Sequence, residues 1–110
     1  MNRVLDIAED EMIDLKHPYV GTEHFFLAYL KCFPNKIVSY KEFKDALIKY
    51  IGKSNIVSEY VLYTPLLRKY VASIYSEKEV VINILKDNDS IAKNVLNMMG
   101  LNVTEILNNL

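Results

Sequence analysis

Helix starts and stops recur along this chain at intervals too short for anything but short helices. Ser39 stands three residues before Glu42, and Ser76 three before Glu79. Both pairs are capping boxes, in which the hydroxyl takes a first-turn N–H and the acid bonds back to the cap. Thr64 followed by Pro65 is an N-cap with proline at the first helical position, and Asn102 caps a last short segment. Pro34, Gly52 and Gly100 are the stops. Ahead of all of these, Val4, Leu5, Ala8, Met12 and Leu15 recur at three- and four-residue steps, with Asp6, Glu9, Asp10 and Asp14 elsewhere. That spacing is an amphipathic helix with an acidic outer face. The fold class that follows is all-α, a compact bundle of six to seven short helices. Two segments are less decided. Residues 53–62, "KSNIVSEYVL", favour extended chain and read as a linker packed across the helices, while "VVINILK" after Ser76 reads equally as a helix or a short strand.

Residues 17–31, "HPYVGTEHFFLAYLK", pose the functional question. Pro18 and Gly21 break the chain; Gly21 is expected to take a positive-φ turn and Thr22 to cap a helix running to about Lys31. The triplet Thr22, Glu23, His24 then opens a dense apolar block. Such polar residues either cap the helix or face something. A carboxylate in the first turn is stabilised by the helix dipole and stays ionised, so Glu23 can hold a cation. The same physics makes it a sound structural residue, and both readings stand.

Composition removes several function classes. With 110 residues, 51% of them apolar and 25% charged, the chain can build one core as a single domain over 1–110. A net charge of −1 offers no bulk attraction to phosphate backbones or anionic lipid. Cys32 is alone, so no internal disulfide is possible and a reduced, half-buried thiol is expected. The N-terminus has no apolar signal core and no run reaches membrane-spanning length, which points to a cytoplasmic protein and no membrane partner. "GKS" at 52–54 resembles the end of a phosphate-binding loop, but Leu47 occupies the place of the loop's first glycine and the segment follows a helix, so Gly52 is read as a C-cap. His17 and His24 lack further ligands at zinc spacing and lack a nucleophile. They read as structural groups, one closing the Pro-Gly turn and the other bonded from the first turn to a neighbouring loop. No catalytic residue, cofactor or metal is expected, and so no enzyme. Lysines 41, 44, 49 and 53 support the alternative of a small nucleic-acid-binding regulator, yet they fall on two sides of one helix with Glu42 and Asp45 between them. Tyr19, Tyr63 and Tyr75 stand at helix entrances, where a ring is often half-exposed.

The chain also repeats itself. "GTEHFFLAYLK" and "SEKEVVINILK" are apolar helices of equal length ending in lysine, each preceded by another helix and followed by an amphipathic one. This divides the chain into repeat one at about 1–52, a linker at 53–62 and repeat two at about 63–110.

The residues "VLDIAEDEMIDLKHPYVGTEHFFLAYLK" resemble the opening of the N-terminal repeat domain of Clp-type AAA+ unfoldases, and "YTPLLRKYV" and "DSIAKNVLNMMGLNVTEI" resemble its second repeat. In that family the domain docks adaptor proteins and substrates for the ATPase ring, and some members recognise phosphorylated arginine. The acid of each "GTEH" there meets the guanidinium, with help from threonines at the repeat starts. By matching position the resemblance implies Glu23 as such an acid, with Thr22 and Thr64 beside it. It implies a monomeric, non-catalytic docking module whose partners are Clp adaptors, unfoldase components or substrates. The departures are specific. Met1 starts inside the first helix, so the first-repeat threonine is missing. The third helix of repeat one is replaced by "CFPNKIV", and the first helix of repeat two is shorter by about three turns of roughly 3.6 residues. Lys78 stands where the second acid would be; it would repel a guanidinium and attract a phosphate. The chain ends where the ATPase domains would begin, as a stand-alone, abridged N-domain would.

Overall fold

In the computed structural model, residues 2–53, 61–73 and 76–110 are described. They form seven helices: α1 (Asn2–Leu15), α2 (Thr22–Cys32), α3 (Tyr40–Tyr50), α4 (Pro65–Ser73), α5 (Glu77–Lys86), α6 (Ile91–Met98) and α7 (Val103–Asn108). The all-α expectation holds, and "VVINILK" is helical. Tyr75 and most of the 53–62 linker lie outside the described residues. Among the described residues no helix is long and apolar enough to cross a membrane.

Helix α2 is the centre of the bundle. Every residue from Thr22 to Leu30 is buried, so its apolar block has no solvent face. A helix apolar all round must be enclosed, and α1, α3, α5 and α6 pack on it. Helix α1 offers Val4, Ala8, Met12 and Leu15; α3 offers Phe43 and Leu47; α5 offers Val80, Val81, Ile84 and Leu85. The rings of Phe26 and Phe43 meet edge to face, with centroids 4.9 Å apart, a favourable arrangement for two aromatic quadrupoles.

The caps and stops act as read, except that only the hydroxyl half of each capping box forms, with no bond from Glu42 or Glu79 back to its cap N–H. Ser39 Oγ accepts Glu42 N–H, Ser76 Oγ accepts Glu79 N–H, Thr64 Oγ1 accepts Leu67 N–H, and Asn102 Oδ1 accepts Thr104 N–H. Gly52 (φ 85°) and Gly100 (φ 77°) take the left-handed conformation that ends α3 and α6. The first turn differs from expectation in two ways. The positive φ after α1 belongs to Lys16 (φ 56°), where His17 N–H reaches back to the Met12 carbonyl. Gly21 is extended (φ −111°, ψ −175°) and is itself the N-cap of α2, in the place expected of Thr22.

The outer face of α1 is solvated as its spacing suggests, with Asp6, Asp10 and Asp14 exposed, but a further acid lies inside. Glu11 is only 4% exposed. Tyr40 donates its hydroxyl to Glu11, and Lys44 Nζ lies 2.9 Å from Glu11 and 2.8 Å from Asp14. Burial works against the Lys44 charge, but the bonds to Asp14, Glu11 and Tyr40 outweigh it and raise its pKa. Lys44 is therefore tied into the scaffold rather than presented with Lys41, Lys49 and Lys53.

Candidate functional site

The site is assembled by one backbone contact that crosses the chain. Val20 N–H donates to the Leu62 carbonyl at 2.8 Å, and Thr64 N–H donates to the Val20 carbonyl at 2.9 Å. This parallel bridge between Val20 and Tyr63 holds the start of α4 against the loop before α2. Tyr63 fixes the same segment to α1, its hydroxyl donating to Glu9 at 2.8 Å. Burial first, and that bond second, push the Tyr63 phenol up to about 12. Thr64 is thereby carried beside Glu23, although 41 positions separate them in the sequence.

The Gly21 turn is held by the two histidines together. Gly21 N–H donates to His24 Nδ1 at 2.9 Å, which leaves the His24 proton on Nε2. His24 Nε2 lies 2.8 Å from His17 Nδ1, and His17 Nε2 lies 2.7 Å from the Gly52 carbonyl. A donor at one end and an acceptor at the other define the chain of bonds. Each neutral imidazole donates from Nε2 and accepts at Nδ1. His24 thus takes the third-position role of a capping box, and His17 carries the connection on to the end of α3. The spacing of His17 and His24 on either side of a Pro-Gly turn was the available signal for this pairing.

Glu23 behaves differently from its neighbours. Its carboxylate curls back over Gly21, and a Cβ at that position would sit 1.9 Å from Glu23 Oε1. A side chain at 21 is opposed by this approach rather than by backbone conformation, and would have to displace the Glu23 carboxylate. Glu23 Oε1 lies 3.3 Å from His24 Nδ1, but that nitrogen already accepts Gly21 N–H and has no proton to offer. The Glu23 side chain is 5% exposed, and among the described residues no lysine, arginine or backbone N–H engages it. It lines a recess of about 480 Å³ with Thr22, Thr64, Pro65, Leu66 and Ile91, where Lys69 and Asp89 also contribute to the lining.

Thr22, Glu23 and Thr64 are therefore brought together, each at a helix start. Thr22 is buried and its hydroxyl faces α6, accepting Ser90 Oγ–H and Ala92 N–H at 3.4 Å each, so it braces the recess rather than capping α2. Lys78 is not brought to this place. It is exposed in the first turn of α5, two positions after the Ser76 cap just as Glu23 follows Gly21, and it lines neither this recess nor the one beside it. Asp89, Ile91 and Lys69 belong to the lining and were not singled out from the sequence, since only the packing of α6 on α2 and the Val20–Tyr63 bridge ahead of α4 place them there. Among the described residues no group of three His, Cys, Asp or Glu side chains is placed to hold a metal.

The chain is similar to a Clp ATPase subunit. It is 26% identical, over an alignment of 122 positions, to the ATP-dependent Clp protease ATP-binding subunit ClpC of Staphylococcus epidermidis (strain ATCC 12228 / FDA PCI 1200). The alignment covers 94% of this chain and 15% of ClpC, so the chain spans a small fraction of that protein's length. No protein-family model matches the chain.

Proposed function

We propose that this protein is a non-catalytic protein-interaction module that receives a basic side chain of a partner at Glu23, with adaptors or substrates of an ATP-dependent unfoldase or protease as its partners. The observation that carries this reading is the Glu23 carboxylate itself, 5% exposed, facing a recess and engaged by no cation of the described residues. A nearly enclosed carboxylate that opens to a recess and is held by no cation of the fold can accept a charge-assisted bond from a cation supplied from outside. The walls of Pro65, Leu66 and Ile91 suit the alkyl stem of such a side chain. The similarity to ClpC supports a Clp-related partner.

Phosphoarginine is a modified form this recess suits, because Lys69 and the starts of α2, α4 and α6 supply positive potential beside the acid. Lys78 at the matching place on α5 supports one such site rather than two. The test is an affinity pull-down from lysate of the source cell with wild type beside Glu23→Gln, read by mass spectrometry. Enrichment of Clp unfoldase components, adaptors or arginine-phosphorylated proteins on the wild type alone is expected. If both proteins retain the same set, or if Glu23→Gln fails to fold, Glu23 belongs to the scaffold and the reading is refuted.

A further inference from the structure

We infer that the ligand of this groove is a single basic residue with a large apolar residue close on each side, and not a basic tract. The inference rests on the docking of a cation at Glu23. It adds the chemistry of what surrounds that cation.

Glu23, Thr64 and Ile91 line two recesses at once. The first, of about 480 Å³, continues over Pro65 and Leu66. The second, of about 340 Å³, continues over Pro18, Tyr19 and Ile51. Together they are one cleft with the carboxylate at its waist and apolar walls on both sides. Those walls are unusually open for their chemistry: Tyr19 is 49% exposed, Ile51 45% and Ile91 37%. Large apolar groups gathered around a recess mark a contact surface more often than a solvated one.

The charges are arranged with the same centre. Glu23 and Asp89 are acidic, while Lys69 lines the first recess and Lys53 the second. One cation placed at the waist meets Glu23, with Asp89 farther along the first recess. Further cations along the ligand would meet Lys69 on one side or Lys53 on the other, and like charges in contact are repelled. An apolar residue beside the basic one instead covers Leu66 and Ile91, or Tyr19 and Ile51. The occupant that fits is a segment of a partner protein, exposed when that protein is unfolded or extended, in which one arginine or lysine stands among aromatic or aliphatic neighbours.

The test is fluorescence anisotropy of labelled peptides on the full chain. The probe is Ser-Leu-Phe-Arg-Phe-Leu-Ser, compared with one carrying citrulline for arginine, one with serine at all four flanking positions, and one with arginine there. Burying even one flanking apolar side chain predicts at least about tenfold tighter binding for the probe than for the serine peptide. The citrulline and all-arginine peptides are expected to bind about tenfold or more weakly than the probe, and Glu23→Gln is expected to abolish the preference for arginine over citrulline. Tyr19→Ser with Ile51→Ser should lower probe affinity while leaving the arginine-to-citrulline ratio intact. Equal binding of the citrulline peptide would overturn the docking at Glu23 itself. Arginine dependence with no effect of the flanks would leave that docking standing and overturn this inference, as would tighter binding of the all-arginine peptide. If no peptide binds, both fall.

Discussion

Replacing Gly21 with alanine tests the geometry on which the site depends. The backbone at Gly21 is extended, with φ −111° and ψ −175°, a conformation alanine adopts freely. Any cost must therefore arise from the new methyl group. It would lie 1.9 Å from Glu23 Oε1 and 3.0 Å from Glu23 Cδ, so the carboxylate must move by roughly 1.5 Å to regain ordinary contact distances. Displacing a buried group in this way costs about 1–2 kcal/mol, in the range of overpacked sites. The same Gly21→Ala change in a Glu23→Ala background meets no carboxylate. There the loss should shrink to the roughly 1 kcal/mol or less that separates glycine from alanine as a cap, a contribution common to both backgrounds. A double-mutant cycle by urea denaturation, with far-UV circular dichroism on the four proteins, should return a coupling of about 1–2 kcal/mol between positions 21 and 23. Gly21→Ala should also weaken basic-ligand binding as Glu23→Gln does, because the carboxylate is no longer at the waist of the cleft. A coupling below about 0.3 kcal/mol would mean the two substitutions act independently, and the curled-back carboxylate would be refuted.

Three further outcomes follow from other contacts. His24→Ala leaves Gly21 N–H and His17 Nδ1 without their partners in a buried place and should cost about 2–4 kcal/mol, whereas His24→Gln restores the capping bond and should cost at least about 1 kcal/mol less; equal losses on urea denaturation would show that the histidine relay does not stabilise the turn. Lys44→Met leaves Glu11 buried with only the exposed Lys31 ammonium at 3.9 Å and should cost about 2 kcal/mol, part of which Glu11→Gln should return in the double variant, checked by the same melts. The fold favours the neutral phenol of Tyr63, so the unfolded chain gives up that proton near 10.0 and the folded chain only near about 12. Its stabilisation is complete below pH 10 and drains away as pH rises through that window, and Tyr63→Phe should flatten the alkaline limb of a stability-against-pH curve; an unchanged limb would assign the loss to other groups.

Much of the architecture is local chemistry and could be read directly. A Ser, Thr or Asn cap bonds an N–H two or three residues away, and a glycine stop needs only its own φ. Ser39, Thr64, Ser76, Asn102, Gly52 and Gly100 accordingly act where the sequence placed them. The apolar run after His24 announces a fully enclosed helix, because no arrangement of it leaves a polar face. Other expectations fail for one physical reason: the same residue type satisfies more than one geometry. Gly21 suits a positive φ and also suits a close approach, and only the position of the Glu23 carboxylate shows which one applies. Thr22 has the chemistry of a cap, yet its hydroxyl is drawn to Ser90 and Ala92 on α6. Glu11, to which the spacing of α1 assigned no place, is enclosed by Tyr40 and Lys44 of α3.

The candidate site divides along the same line. That Glu23 would be an acid in a first helical turn follows from the residues of one segment. Its lack of a partner does not, because that depends on which nitrogen of His24 is already engaged. Nor does the cleft, whose walls come from the α1–α2 loop, α3, α4 and α6 and meet only through the Val20–Tyr63 bridge and the packing of α6 on α2. Hydrogen bonds within a turn act over a few residues and leave their mark in neighbouring letters. Contacts between distant segments are selected by the burial of the whole core, and they decided which of the possible roles each polar residue took.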